Sequence, residues 1–239
     1  MTSGPSYSEL IKKNLIDSPV WGSYLRGECE LPNRPQTASH IATYLFYLGE
    51  IERARDVSHL FSRYCEENYR KYPRELNKLY HLFRAALFRD LSGRHQEAEE
   101  HWGVLVDLRR TVSEDEILKS SRANVLIYEA YALAKLGRYK DVPEPAQRGF
   151  QGIVKGKGIT EAPHKNSLEY GLADILETLA YFKLDPKPGS QQKAQDALLA
   201  YKKENYRYGR LGYSVIFDLQ MSYPDIFTPV LPGPDPDND

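Results

Sequence analysis

Gly49, Gly93 and Gly137 are separated by two intervals of 44 residues, and a chain that keeps step in this way is constrained to fold as repeated units. The offset holds at neighbouring positions. Ala42, Ala86 and Ala130 precede the glycines by seven residues, Ala54, Ala98 and Val142 follow by five, and Ile51, His95 and Tyr139 follow by two. The flanking stretches are rich in Ala, Leu, Glu, Lys and Arg, with apolar residues at three- and four-residue spacing, which is a helical pattern. A glycine stops the first helix, and small residues before and after it let the next helix approach closely. Each unit therefore reads as an αα-hairpin, which must stack on another to bury its apolar face.

The spacing predicts helices over residues 6–16, 37–48, 51–70, 74–92, 95–110, 114–136, 139–154, 165–184, 190–206 and 210–222. Ser113 with Glu116 forms a capping box, and Pro73 breaks the chain between two long patterns. Gly152 to Pro163, with four Gly or Pro residues, reads as a loop, and Pro232 to Asp239 as a disordered acidic tail.

The pattern Ala42-x-x-Leu45-x-x-Leu48-Gly49-x-Ile51-x-x-Ala54 resembles a tetratricopeptide repeat (TPR), as does Ala130-x-x-Leu133-x-x-Leu136-Gly137-x-Tyr139-x-x-Val142. The middle copy departs from it, with Arg89 and Ser92 in place of leucines, but keeps Gly93, Ala98 and Trp102. The period is also longer than the roughly 34 residues of that family, and its terminal proline is missing or displaced. The resemblance covers residues 36–150. It implies an all-α, right-handed αα-hairpin solenoid of about four TPR-like repeats, with hairpins near 36–72, 74–111, 113–155 and 164–207 and a capping helix at 210–222. In the fourth hairpin Asp185-Pro186-Lys187-Pro188-Gly189 stands where the others have one glycine. A single domain of residues 1–228 followed by a tail at 229–239 is expected.

Composition excludes several functions. Lys plus Arg total 32 and Asp plus Glu 33, a net charge of −1, whereas nucleic-acid binders carry a basic excess. The pairs Lys12-Lys13 and Arg109-Arg110 are too scattered for a basic stripe. Two cysteines in 239 residues are too few for a disulfide framework. No apolar run approaches the roughly 20 residues needed to cross a bilayer, and Met1 to Glu9 lacks the pattern of a secretory signal, so a cytoplasmic protein without a membrane partner is expected.

Motifs that would carry chemistry fail on spacing. Gly152-Ile-Val-Lys-Gly156-Lys157-Gly158 is one residue short of a phosphate loop, lacks its hydroxyl and follows no strand. His95 and His101 are six apart, so a helix turns them to different faces and a metal site is not expected. Cys29 and Cys65 have no nearby histidine motif, with Cys65 read as buried and Cys29 as lying in a loop. No cofactor and no catalytic residues are expected.

A partner has a more specific address. The first helix of each hairpin lines the concave surface in the fold that the resemblance implies. Counting back from the glycines places His40, Thr43 and Tyr47 there, then Arg84, Leu87 and Asp90, then Asn124, Tyr128, Tyr131 and Lys135. Such a polar and aromatic set suits a protein or peptide partner, since Tyr and Arg supply much interface energy. The expected function is a non-enzymatic interaction module, such as a bacterial toxin-neutralising immunity protein or a regulatory adaptor or chaperone. The competing reading is an enzyme whose site is assembled from scattered His, Glu and Tyr, including His40 and His81. A second aromatic cluster, Tyr201, Tyr206, Tyr208, Tyr213, Phe217, Tyr223 and Phe227, is expected to seal the end of the array. Lys202, Lys203, Arg207 and Arg210 add a basic rim.

Overall fold

In the computed structural model, which describes residues 18–119, 123–156, 168–205 and 211–227, each repeat glycine ends a helix in the same way. The helices are α1 (Pro19–Leu25), α2 (Pro35–Tyr47), α3 (Ile51–Lys71), α4 (Glu75–Leu91), α5 (His95–Thr111), α6 (Glu114–Lys119), α7 (Asn124–Lys135), α8 (Pro143–Gly156), α9 (Leu168–Leu184), α10 (Pro188–Asn205), α11 (Leu211–Ser222) and α12 (Pro224–Phe227). A 3₁₀ turn, Tyr139–Asp141, precedes α8. Among the described residues there is no strand, and no helix is long and apolar enough to cross a membrane.

Gly49, Gly93 and Gly137 have φ of 76°, 80° and 70°, a left-handed conformation that costs a side chain about 1–2 kcal/mol. After each one the backbone closes the same pair of bonds. Gly49 N–H donates to the Phe46 carbonyl and Glu50 N–H to Leu45, Gly93 to Asp90 and Arg94 to Arg89, and Gly137 to Ala134 and Arg138 to Leu133. These bonds satisfy carbonyls that a helix end leaves open. The small residues of the period, Ala42, Ala86, Ala130, Ala54, Ala98 and Val142, are all fully buried.

The helices pack largely in sequence order, α2 on α3, α3 on α4, α4 on α5, α5 on α7, α7 on α8, α8 on α9 and α9 on α10. In α3 the buried residues Ala54, Val57, Ser58, Phe61, Ser62 and Cys65 follow a three-and-four spacing, one stripe facing inward. Ser62 donates to the Ala85 carbonyl of α4 at 2.8 Å, which only a small side chain allows. By contrast α4 is buried continuously from Ala85 to Leu91, and α7 from Val125 to Tyr128 and Ala130 to Ala134. They are central helices, covered on most sides, and the few charges they carry inward, Arg89, Asp90 and Lys135, are paired.

Several expectations change here. Residues 114–136 form two helices, α6 and α7, with the Ser113 hydroxyl accepting from the Glu116 N–H at 3.2 Å. Gly152 lies inside α8 rather than in a loop, because α8 packs too closely on its neighbours for a side chain there. A Cβ at Gly152 would stand 2.6 Å from Ala123 Cβ and 2.7 Å from Leu118 Cδ2. The largest change concerns α11, the expected cap of the array. It packs on α10 and α12 but also across α4 and α2, and Gly212 to Ile216, Asp218 and Leu219 are buried. The chain puts this apolar helix where four others can cover it. Tyr201, Tyr213, Tyr223 and Phe227 are accordingly core residues. The expected helix at 6–16, the tail at 229–239 and residues Lys12, Lys13, Lys157, Gly158, Pro163, Tyr206, Arg207, Tyr208 and Arg210 lie outside the described residues.

Candidate functional site

The three residues six positions before the repeat glycines, Thr43, Leu87 and Tyr131, occupy equivalent places on α2, α4 and α7, and all are buried. On this side α11 packs across α4 and α2 and reaches α7 through Asp218. The Thr43 and Ser214 hydroxyls are 2.9 Å apart, and Phe46 stacks on Phe217 with ring centres 5.5 Å apart. Four residues further along α11, Asp218 accepts from the Tyr131 hydroxyl and from Lys135 Nζ, the latter at 3.0 and 3.1 Å. Another four on, Ser222 accepts from Lys135 Nζ. Ser214, Asp218 and Ser222 therefore form one polar stripe on α11, running from α2 to α7 over about 12 Å at 1.5 Å per residue.

Lys135 is the hub. Its side chain is 7 % exposed and also reaches Asp90 Oδ2 at 2.7 Å. Asp90 and Asp218 are 6 % and 2 % exposed, so two carboxylates share one ammonium with little contact with water. Burial pushes the Asp218 carboxyl up to about 6, against the pull of Lys135 and with a push from Asp90. Burial also acts to raise Asp90, but Lys135 and donors from His95 and Trp102 hold it below the usual carboxylate range. Burial acts to lower Lys135, and the two aspartates outweigh it and hold the amine above its usual range. Tyr131 is driven well above the ordinary phenol value by burial first and by Asp218 second, so it is a fixed donor.

The face stays open at one end. A pocket of about 330 Å³ is lined by Asp90, His95, Glu99, Trp102, Lys135, Tyr139 and Tyr223 among others. Asp90 Oδ1 lies 2.7 Å from His95 Nδ1, and Asp90 Oδ2 accepts from Trp102 Nε1 at 3.1 Å. The His95 side chain is 66 % exposed, with Nδ1 engaged by the carboxylate. Glu99, one turn along α5, is exposed. His101 does not join this group, as its Nδ1 meets the Glu97 carbonyl at 2.7 Å. Among the described residues no group of three or more His, Cys, Asp or Glu side chains is arranged to hold a metal ion. Burial pushes the Cys65 thiol up to about 12, which removes it as a nucleophile, while Cys29 is exposed.

Of the residues assigned to a groove, the structure brings Thr43, Asp90, Tyr131 and Lys135 into this cluster under or beside α11. Tyr128 is buried one turn away, stacked on Phe83 at 4.1 Å, and its hydroxyl accepts from Asn124 Nδ2 at 3.1 Å. His40 and Tyr47 are half-buried on α2, Tyr47 stacked on Tyr44. Arg84 is separate. Its guanidinium turns to α3, 4.9 Å from the centre of the Phe61 ring and 5.3 Å from Tyr80. Asp218, Ser214, Ser222 and Trp102 complete the cluster, and counting from the glycines does not reach them. The signal for Asp218 is a lone carboxylate in an apolar twelve-residue helix, which must find a partner when buried.

A second charged network accounts for the middle repeat. Arg89 sits in the slot that Leu45 and Leu133 fill in the other copies and is buried. It reaches Glu66 at 2.9 Å, Glu97 at 3.0 Å and His59 Nδ1 at 3.2 Å, tying α3, α4 and α5 together. Comparison of the chain with protein-family models, with curated proteins and with solved structures returned no match.

Proposed function

We propose that this chain is a non-enzymatic interaction module, a right-handed solenoid of about four TPR-like hairpins that binds a protein or peptide partner. The observation that carries the reading is the seat of α11. Thr43, Leu87 and Tyr131, at 44-residue steps, lie beneath a helix that reads the scaffold by a polar stripe, which is helix-in-groove recognition made within one chain. A partner therefore meets either the open end of that face, at His95, Glu99 and Tyr139, or the seams between hairpins. An immunity protein, an adaptor and a chaperone all fit such a scaffold. Affinity capture from the native host tests it. The wild-type chain should retain a stoichiometric protein that His95→Ala with Glu99→Lys, or Arg84→Gln, loses while far-ultraviolet circular dichroism is unchanged. Retention of a metabolite and no protein would contradict the reading.

One observation favours an enzyme as a second reading. The Asp90–His95 pair at 2.7 Å is the geometry by which a carboxylate orients an imidazole, and the ring borders a pocket. That reading predicts a copurifying small molecule whose retention His95→Ala abolishes.

A further inference from the structure

Among the described residues several buried cations are matched. Lys135 has Asp90 and Asp218, Arg89 has Glu66 and Glu97, and Arg109 has Glu129 at 3.2 Å. Arg84 is different. It is half-buried, and among the described residues no acidic side chain pairs with it; its Nε, like those of Arg89 and Arg109, has no hydrogen-bond partner. The guanidinium is held between the faces of Phe61 and Tyr80. Beside it, His81 stacks on Tyr72 with ring centres 4.7 Å apart and planes 11° from parallel, and His81 Nδ1 is buried without a partner. Burial, and then the Arg84 charge, keep His81 below its usual value, so at neutral pH it adds no second charge. A partly desolvated guanidinium costs free energy until an anion meets it, and its planar fork matches a carboxylate.

We propose that the seam between the C-terminal half of α3 and the N-terminal half of α4 docks an acidic peptide segment, with a Glu or Asp carboxylate on the Arg84 guanidinium and its apolar neighbours against Tyr72 and Tyr80. The proposal rests on the interaction-module reading and names the chemistry of the partner. Two features choose a peptide over a small inorganic anion. The cation is flanked by aromatic rings rather than by further donors, and Tyr72 offers an exposed ring beside it. The site lies away from the inner face, so α11 need not move.

The test uses the full chain, ¹⁵N-labelled, in nuclear magnetic resonance titrations. The probes are the acetylated, amidated tetrapeptide Leu-Glu-Glu-Leu, its Leu-Gln-Gln-Leu counterpart and inorganic phosphate. The Glu peptide should shift the Arg84 Nε–H and His81 ring resonances. The Gln peptide should bind about tenfold more weakly, as should the Glu peptide to Arg84→Gln. Arg84→Lys, which keeps the charge without the fork, should bind between the two. Equal shifts with Glu and Gln peptides, no shift with either, or a shift with phosphate alone would overturn the proposal. Capture from the host separates the two levels. A partner retained equally by wild type and Arg84→Gln ends this proposal and leaves the module reading standing, whereas no protein partner for the wild type ends the module reading.

Discussion

Replacing Lys135 with Met should be among the most damaging single changes in the chain. Met matches the length of the lysine stem and fills the same volume, so packing is largely kept. What disappears is the ammonium that Asp90 meets at 2.7 Å and Asp218 at 3.0 Å, with both carboxylates nearly sealed from water. Breaking a buried pair by removing one partner costs about 3–5 kcal/mol, because the charge left behind is uncompensated. Here two are left behind, so the upper part of that range applies. With a urea slope of about 2–3 kcal/mol per molar for a chain of this size, the midpoint should fall by about 1–2 M. The loss has a pH signature. Lys135 is the largest influence lowering either carboxyl, so without it both take up protons more readily in the folded state. A carboxyl whose folded value is raised stabilises below its unfolded value and loses that contribution as pH rises through the folded one. The variant should therefore suffer more at pH 8 than at pH 5. Urea melts followed by circular dichroism at both pH values measure this. A midpoint shift below about 0.3 M, or an equal shift at both, would refute the buried triad.

The same linkage makes Asp218→Asn a milder change. In the wild type the Asp218 contribution is present below about pH 4 and lost through about pH 6, so the variant should flatten the stability profile across that window. At pH 8 it should remain within about 1 kcal/mol of wild type, since the amide oxygen still accepts from Tyr131. Gly152→Ala should cost about 1–3 kcal/mol, because its Cβ would meet Ala123 and Leu118 at 2.6–2.7 Å. Gly103→Ala, within α5 with nothing inside 4 Å, should instead stabilise by about 0.5–1 kcal/mol, and thermal melts of the pair compare the two. Gly137→Ala should lower the melting temperature through a cost of about 1–2 kcal/mol, set by its φ of 70° because the added methyl faces open space.

The helix ends are readable in the sequence because their causes are local. A glycine at the end of an apolar pattern implies a left-handed residue, and the 44-residue step then fixes which alanines are buried. Gly152 misleads for the same reason, since glycine read locally suggests a loop, while here it admits Ala123 and Leu118 against α8. The site is readable only in part. Thr43, Asp90, Tyr131 and Lys135 carry a positional signal from the repeat, so counting back from the glycines reaches them. Their partner does not show. Asp218 is 83 residues from Lys135 and 87 from Tyr131, so although Ser214, Asp218 and Ser222 share one face of α11, nothing local to that helix says which helices the face meets. Arg84 falls three residues before Leu87, which counting assigns to the same face, yet its long stem carries the charge round to α3.

The position of α11 across the inner face is the central claim, and a cross-link tests it most directly. With the Thr43 and Ser214 hydroxyls 2.9 Å apart, Thr43→Cys with Ser214→Cys brings two sulfurs within bonding reach. Oxidation of the full chain, with tryptic mapping by mass spectrometry, should give a 43–214 disulfide in most molecules, unchanged helix content and a higher melting temperature. No such bond, or one that forms only as helicity is lost, would contradict the placement of α11 and the helix-in-groove reading built on it.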